Sequence, residues 1–517
     1  MIEKRADRRL VSRRRLLQGA AAAGLVGAAG IAPRPVGAGT TPDWDAETDV
    51  LVVGLGAAGA SAAIAARAAG AEVSVLEAAP LGGGTSRLSA GEIYLGGGTP
   101  LQRRLGFDDS SAEMIKYLLA ASGAGVDEEK IRLYCEGSLD HYAWLLEQGV
   151  EFKPEFYPEH HDSPGDEGLR WAASEPTHPF NEIARPAPRS HKMRHSGLAG
   201  GALMDVLIAR CAKLGAQIHT QTTCRALVTS GEAEQTQVLG VVAHGPQGER
   251  RIRARGGVVL ATGGFISNAE MVRLYAPLLV GGTPMSAGHD DGSGILMGIG
   301  LGAAALHMDA GFIGLALHPP EEIIQGVLVD PRGQRFVNED AYLGRVGEYA
   351  RGRADGDVIL ILDAGVPGSP LLGDNELVAR ADSAQALQER LGRPALAQTL
   401  AAYNANARVG KDPLFGKQPE FLRPLEQAPL RAYHYELGKS FWPVFTLGGL
   451  RTRPSGEVLR ASGAVISGLY AAGRAASGVP ARAYNTGTSV GDGTFFGRRA
   501  GQSAAARRAA PAALGES

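Results

Sequence analysis

Both ends of this chain alternate short apolar runs with glycine turns and apolar helices. Val50 to Val53 is a continuous apolar run closed by Gly54, the pattern of a parallel strand buried on both faces. Ala57 to Gly70 reads as an alanine-rich helix ended by glycine, and Ala71 to Leu76 as a second strand. Helical periodicity occupies Ser111 to Gly149, and Gly200 to Gly215 predicts another amphipathic helix. Short strands are expected over Ala216 to Val228. Val238 to His244 and Glu249 to Ala254 predict a hairpin around Pro246 to Gly248. Gly257 to Phe265 is a further buried strand running into glycines. The stretch from Glu151 to His195, rich in Pro, His and charge, has no period and predicts a long surface loop or insertion. Residues 267–435 mix short helices, strands and proline turns.

The turns carry the chemistry. Gly54, Gly56 and Gly59 fit G-x-G-x-x-G. The first glycine permits a tight turn, the second a close approach of backbone to pyrophosphate, the third close helix–strand packing. Ala57 and Ala58 open the helix, whose free N–H groups favour negative charge. Glu77, followed by Ala78, ends the second strand about twenty residues on, where an acid meets an adenosine ribose. A glycine-rich loop holds Gly83, Gly84, Thr85, Ser86, Ser89, Ala90 and Gly91, whose hydroxyls and N–H groups suit a diphosphate or flavin. Ala261, Thr262 and Gly263 close the later strand, and Asp291 lies in an Asp-Asp-Gly-Ser-Gly segment.

Near the C-terminus, Gly468 to Arg474 repeats the strand-then-glycine pattern, with Gly473 and Arg474 at its end. Thr488, Ser489 and Val490 would start the last helix, its amino end facing the flavin edge. Two distant strand–turn–helix segments imply one dinucleotide fold divided by an insert. The cofactor expected between them is FAD rather than NAD, because the C-terminal piece must reach the flavin end.

Composition narrows the rest. The chain has 517 residues and a formal net charge of −2, which gives no support for a nucleic-acid partner. Its three cysteines, Cys135, Cys211 and Cys224, form no CxxC spacing, so zinc ribbons, iron–sulfur clusters and c-type haem are not expected, nor any other metal site. Ser12 and Arg13 to Arg15 precede an apolar run from Ala20 to Ala32 too short to span a membrane, and Val36 to Ala38 offers a cleavage site. This resembles a twin-arginine export signal, so residues 1–38 are expected to be removed and the mature protein to reach the periplasm or outside, without a membrane span.

Together these segments resemble the flavoprotein family of fumarate reductase, succinate dehydrogenase and 3-ketosteroid dehydrogenases. Further matches are Ala261 to Gly264, Asp290 to Gly294, Gly333 to Glu339 and Gly448-Gly449. The resemblance implies an α/β fold: a split Rossmann-like FAD-binding domain (46–266 and 436–510) with an inserted α+β catalytic domain (267–435), and substrate at their junction. Fumarate reductases carry His-x-Thr-Met-Gly-Gly; here Val444-Phe-Thr-Leu-Gly-Gly449 lacks the histidine. Where they carry a proton-donating arginine, Tyr342 stands near and Arg345 is displaced, while His318-Pro319 keeps a dicarboxylate reading open. Tyr342 and Tyr484 resemble the tyrosines of 3-ketosteroid dehydrogenases, and Thr486 replaces a serine of the Δ4 branch.

The implied reaction desaturates a steroid-like ketone beside its carbonyl, at C4–C5, or reduces it. It needs a polarised carbonyl, a base for the α-proton and flavin N5 as hydride acceptor. Tyr484, with Thr486 close to the keto end, and Tyr342 as partner hydroxyl would supply polariser and base. A tyrosine serves as base if neighbours lower its pKa from about 10. Phe265, Phe312, Trp442, Phe445 and Leu447 could line an apolar cleft. The alternatives are an enoate reductase using Arg345, a Δ1-dehydrogenase, and a non-catalytic flavin carrier. A separate electron acceptor is implied.

Overall fold

The computed structural model describes residues 43–159 and 161–509; the expected export signal lies outside these residues. Strand β1 (Ala46–Val53) leads into helix α1 (Ala57–Ala68), then strand β2 (Val73–Leu76). Strands β3 (Gln217–His219), β4 (Gly248–Leu260) and β5 (Val465–Ala471) complete a parallel core in the order β5-β4-β1-β2-β3. Val50, Leu51 and Val52 are fully buried, as a strand covered on both faces must be. The final strand of the chain thus joins a sheet begun by its first.

The hairpin forms as expected, but its second strand and the expected separate strand at Gly257 are one continuous strand. The first half of β4 pairs antiparallel with Gln237–Gly245. Its second half turns to β5, with Val258 opposite Leu469. Gly257, at φ 141°, sits at the switch; a Cβ there would lie 2.7 Å from the Gly468 carbonyl oxygen.

Helix α2 (Thr488–Ala509) lies along α1. Gly493, Gly497 and Gly501 recur every four residues, so they form one face. Cβ atoms built on Gly497 and Gly501 would lie 2.3 Å from Ala58 O and 2.1 Å from Ala62 O. Backbone therefore meets backbone, which explains why ten of the twelve residues of α1 are buried.

The segment expected as a surface loop is instead part of a sheet. Glu92–Tyr94, Ser190–Lys192, Glu167–Arg170 and Lys153–Tyr157 pair in that order. Some of its charged residues are buried, and these have partners. Arg189 pairs with Asp109 at 2.7 Å, and Lys192 donates to the carbonyls of Ser163 and Gly165. Buried charge of this kind hides a strand from a hydrophobicity pattern.

The middle of the chain carries a four-stranded antiparallel sheet in the order Val327–Val329, Asp357–Leu362, Leu430–Glu436 and Glu376–Ala381. Helices Ala384–Leu391 and Leu396–Arg408 accompany it. Thr283–Pro284, Pro443–Thr446 and Gly311–Ile313 form a further small sheet, with Pro443–Thr446 at its centre. Among the described residues no helix is long and apolar enough to cross a membrane.

Candidate active site

The glycine turns gather at one edge. Gly54 follows β1, Glu77 follows β2, Ala261 follows β4, and Gly473 closely follows β5. All stand at the carboxyl ends of parallel strands, where open α/β sheets bind ligands. Gly54 adopts φ 98°, and a Cβ there would lie 2.4 Å from Ala261 O. Gly59 packs tighter still: its Cβ would lie 1.9 Å from Gly54 O. Gly473, at φ 62°, brings the C-terminal segment against Ala58, with only 2.9 Å for an added Cβ.

Glu77 is buried and accepts from the N–H groups of Leu55 and Ala79, both at 2.8 Å. Partly buried Ala78 lies between Glu77 and Ala79. Gly83, at φ 116°, leads a single 3-10 turn from Gly84 to Leu88. Ser86 Oγ accepts from Ala57 N–H at the start of α1, at 3.2 Å. Ser89 Oγ donates to Ser86 O and accepts from Gly91 N–H, while Ala90 O accepts from Ala199 N–H. These last three residues brace the loop against the helix at Gly200–Lys213.

Asp290, rather than Asp291, enters this cluster. Its carboxylate accepts from Thr85 Oγ1 at 2.5 Å and pairs with Arg474 at 3.2 Å. Burial would raise its pKa, but Arg474, Thr85 and Ser286 hold it below the ordinary carboxylate value. Asp291 is exposed and accepts from Ser293 N–H at the start of a helix. The two acids are adjacent, and a left-handed turn at Gly292 (φ 77°) follows them. Gly263 makes room for Asp290, since its Cβ would lie 2.1 Å from Oδ1. No sequence signal separates the pair.

The residues fit a dinucleotide. Gly56, at the amino end of α1, has no side-chain cap of its own. Gly84 has open space where a side chain would stand. Thr262 and Ser489 keep buried hydroxyls without well-aligned partners. Thr488 is buried and bonds Asn485 O, and Val490 is buried in the first turn of α2. Gly56 to Gly59, Glu77 and the 83–86 loop would hold the nucleotide half. The turn at 473 and the start of α2 would hold the flavin half.

Tyr342 and Tyr484 both approach Phe312, although they are far apart in the chain and Tyr484 shortly precedes α2. Phe312 and Phe445 stack at 4.8 Å between centroids, and both touch Tyr484 edge-on, at 5.3 and 4.9 Å. Tyr342 lies 6.3 Å from Phe312. Of the expected apolar lining, only Phe312 and Phe445 join the tyrosines in ring contact. Phe265 and Trp442 are fully buried, and Leu447 is nearly so.

Thr486 bonds Tyr342: its Oγ1 donates to Tyr342 Oη at 3.0 Å. Neither phenol is made acidic. Burial pushes Tyr342 well above its ordinary value and the nearby Tyr484 adds to this, while Thr486 opposes. Burial also raises Tyr484, opposed by Ser489. Both therefore rest as protonated hydroxyls, ready to donate. The backbone of Tyr342 is fixed too, its N–H donating to Ser174 Oγ at 3.0 Å. Ser174 lies in the aperiodic stretch, where nothing in the sequence marks it.

Arg345 is engaged elsewhere. It pairs with Glu348 at 3.1 Å, donates to Ala121 O at 2.9 Å and covers the Phe180 ring. It lines a small cleft together with Phe312 and Tyr484. His318 is buried with its ring 6.0 Å from that of His161.

A family profile described as FAD binding domain matches residues 49–490. A 3-ketosteroid Δ4-(5α)-dehydrogenase from Rhodococcus jostii RHA1, solved with 4-androstene-3,17-dione, is 43% identical and superposes with a TM-score of 0.85. That similarity covers 91% of this chain and 99% of the other. The 3-oxo-5-alpha-steroid 4-dehydrogenase of Comamonas testosteroni is 28% identical over 510 residues, covering 85% of this chain and 94% of its own. NADH:fumarate oxidoreductase of Klebsiella pneumoniae is 27% identical over 89% of this chain, which spans only 48% of that longer protein. The chain therefore belongs to the FAD-binding flavoprotein family of fumarate reductases and 3-ketosteroid dehydrogenases, and it is an FAD-dependent oxidoreductase.

Proposed function

We propose that the protein oxidises a 3-ketosteroid across C4–C5, or catalyses the reverse reduction. The observation that carries this is the hydroxyl pair Thr486–Tyr342, at 3.0 Å, beside Tyr484 and two stacked phenylalanines. Hydroxyls on an apolar aromatic wall suit a neutral ketone. The likeness to a steroid-bound relative supports the same reading.

In this reading the two ends of the chain form a split Rossmann-like FAD domain around the insert, and substrate lies at their junction. When bound, FAD supplies the acceptor for the hydride leaving the β-carbon. Tyr484, kept protonated by burial, donates to the keto oxygen and makes the α-proton acidic. Tyr342 takes that proton as its phenolate, formed when the phenol first releases its own proton to solvent, and the Thr486 donor offsets the cost of that charge in the buried site. Phe312 and Phe445 exclude water from this step. Electrons then leave to a separate acceptor.

The test is anaerobic mixing of FAD-loaded protein with a saturated 3-ketosteroid. Bleaching of the flavin absorbance supports the reading. Failure to bleach, together with reoxidation of pre-reduced protein by a charged enoate, refutes it in favour of a reductase. We also propose export by the twin-arginine route, which predicts cytoplasmic retention when Arg13 and Arg14 are both replaced by lysine.

A further inference from the structure

Two loops bring the reacting hydroxyls together, and one buried phenol touches both. Tyr117, on the helix Ser111–Ala121, is 1% exposed. Its hydroxyl donates to Asn485 Oδ1 at 2.9 Å, and Asn485 stands between Tyr484 and Thr486. The same oxygen accepts from Ser174 N–H at 3.2 Å. Ser174 Oγ in turn accepts from Tyr342 N–H at 3.0 Å, and the Thr486–Tyr342 bond closes the circuit. A phenol has one donor and two lone pairs, so one oxygen holds both arms.

The ring of Tyr117 is itself gripped. Phe180 meets it edge-on at 5.6 Å, the Arg189 guanidinium lies 5.6 Å over it, and Tyr94 stacks at 6.5 Å. Nearby, Tyr94 N–H donates to Gly487 O, tying the end of the catalytic loop to the buried sheet. We infer that Tyr117 is a positioning residue that sets the spacing of the Tyr342–Thr486 pair against Tyr484 by anchoring Asn485 and Ser174 together. It acts through Asn485 and Ser174. This rests on the proposed function in taking Tyr342, Thr486 and Tyr484 as the reacting hydroxyls.

Tyr117→Phe keeps the ring and its packing and removes only the two bonds. The experiment compares Tyr117→Phe, Thr486→Val and the double variant, each FAD-loaded, for kcat, KM and unfolding midpoint. Misplaced reacting groups cost up to about a hundredfold. Tyr117→Phe is therefore expected to lower kcat about 10- to 100-fold at similar KM and FAD content. Added to Thr486→Val, it should cost far less, because coupled residues are not additive. Unchanged kcat, or a full additional loss in the double variant, overturns the inference. Where Tyr117→Phe does not retain FAD, Ser174→Ala severs only the Tyr342 arm and decides by the same kcat loss. If the wild-type protein fails to oxidise 3-ketosteroids, the functional reading falls while the circuit is still judged by unfolding. Non-additive midpoints then uphold it and additive ones overturn it.

Discussion

Thr486 and Tyr342 share a 3.0 Å hydrogen bond across 144 positions of sequence, joining the loop before α2 to the start of the helix Leu343–Ala354. The bond leaves the proton of Tyr342 free to point elsewhere and gives its oxygen a donor. Removing the phenol oxygen in Tyr342→Phe should lower kcat about a hundred- to ten-thousandfold, with FAD content unchanged by absorbance. Thr486→Ser keeps the donor and should retain most activity, whereas Thr486→Val should not.

The contact between Gly497 and Ala58 sets a second expectation. A methyl at Gly497 would lie 2.3 Å from a backbone carbonyl that cannot move without shifting the first helix. Gly497→Ala should destabilise the protein by about 1–3 kcal/mol and weaken FAD retention. Urea unfolding and flavin release on dilution measure both. A variant as stable as wild type would contradict the backbone-to-backbone packing.

Asp290 and Asp291 offer a paired comparison. Asp290→Ala leaves the partly buried Arg474 guanidinium without its partner, a loss of about 3 kcal/mol or less. It also frees Thr85, so FAD affinity should drop. Asp291→Ala removes one exposed turn bond and should cost about 1 kcal/mol or less. Titration of apoprotein with FAD, beside unfolding of each variant, separates them.

Acid should destabilise the fold through two buried histidines. Burial lowers His191 from 6.5 to about 4 and His141 from 6.5 to about 3. His191 is satisfied as a neutral ring, donating from Nδ1 to Arg189 O and accepting at Nε2 from Thr99. Unfolded histidine takes a proton first, so this stability is complete above about 6.5 and is lost as pH falls toward 4 and 3. Urea midpoints measured down that range should decline, and His191→Gln should flatten the decline.

The nucleotide half of the site was legible in the chain because its requirements are local. Gly54, Gly56 and Gly59 must be small where backbone meets backbone or ligand, and Glu77 must end a strand. Such demands leave spacing that a sequence carries openly. The tyrosines were legible only through likeness to a family, since an isolated tyrosine has no pattern. Tertiary structure decided what depends on side-chain direction and distant pairing. It turned Asp290 inward and Asp291 out, gave Thr486 to Tyr342 and engaged Arg345 with Glu348. It also folded the charged stretch around Arg189 and Lys192 into a buried sheet. Each of these outcomes rests on a partner far along the chain, and charge neutralised in space looks, in sequence, the same as charge exposed to water.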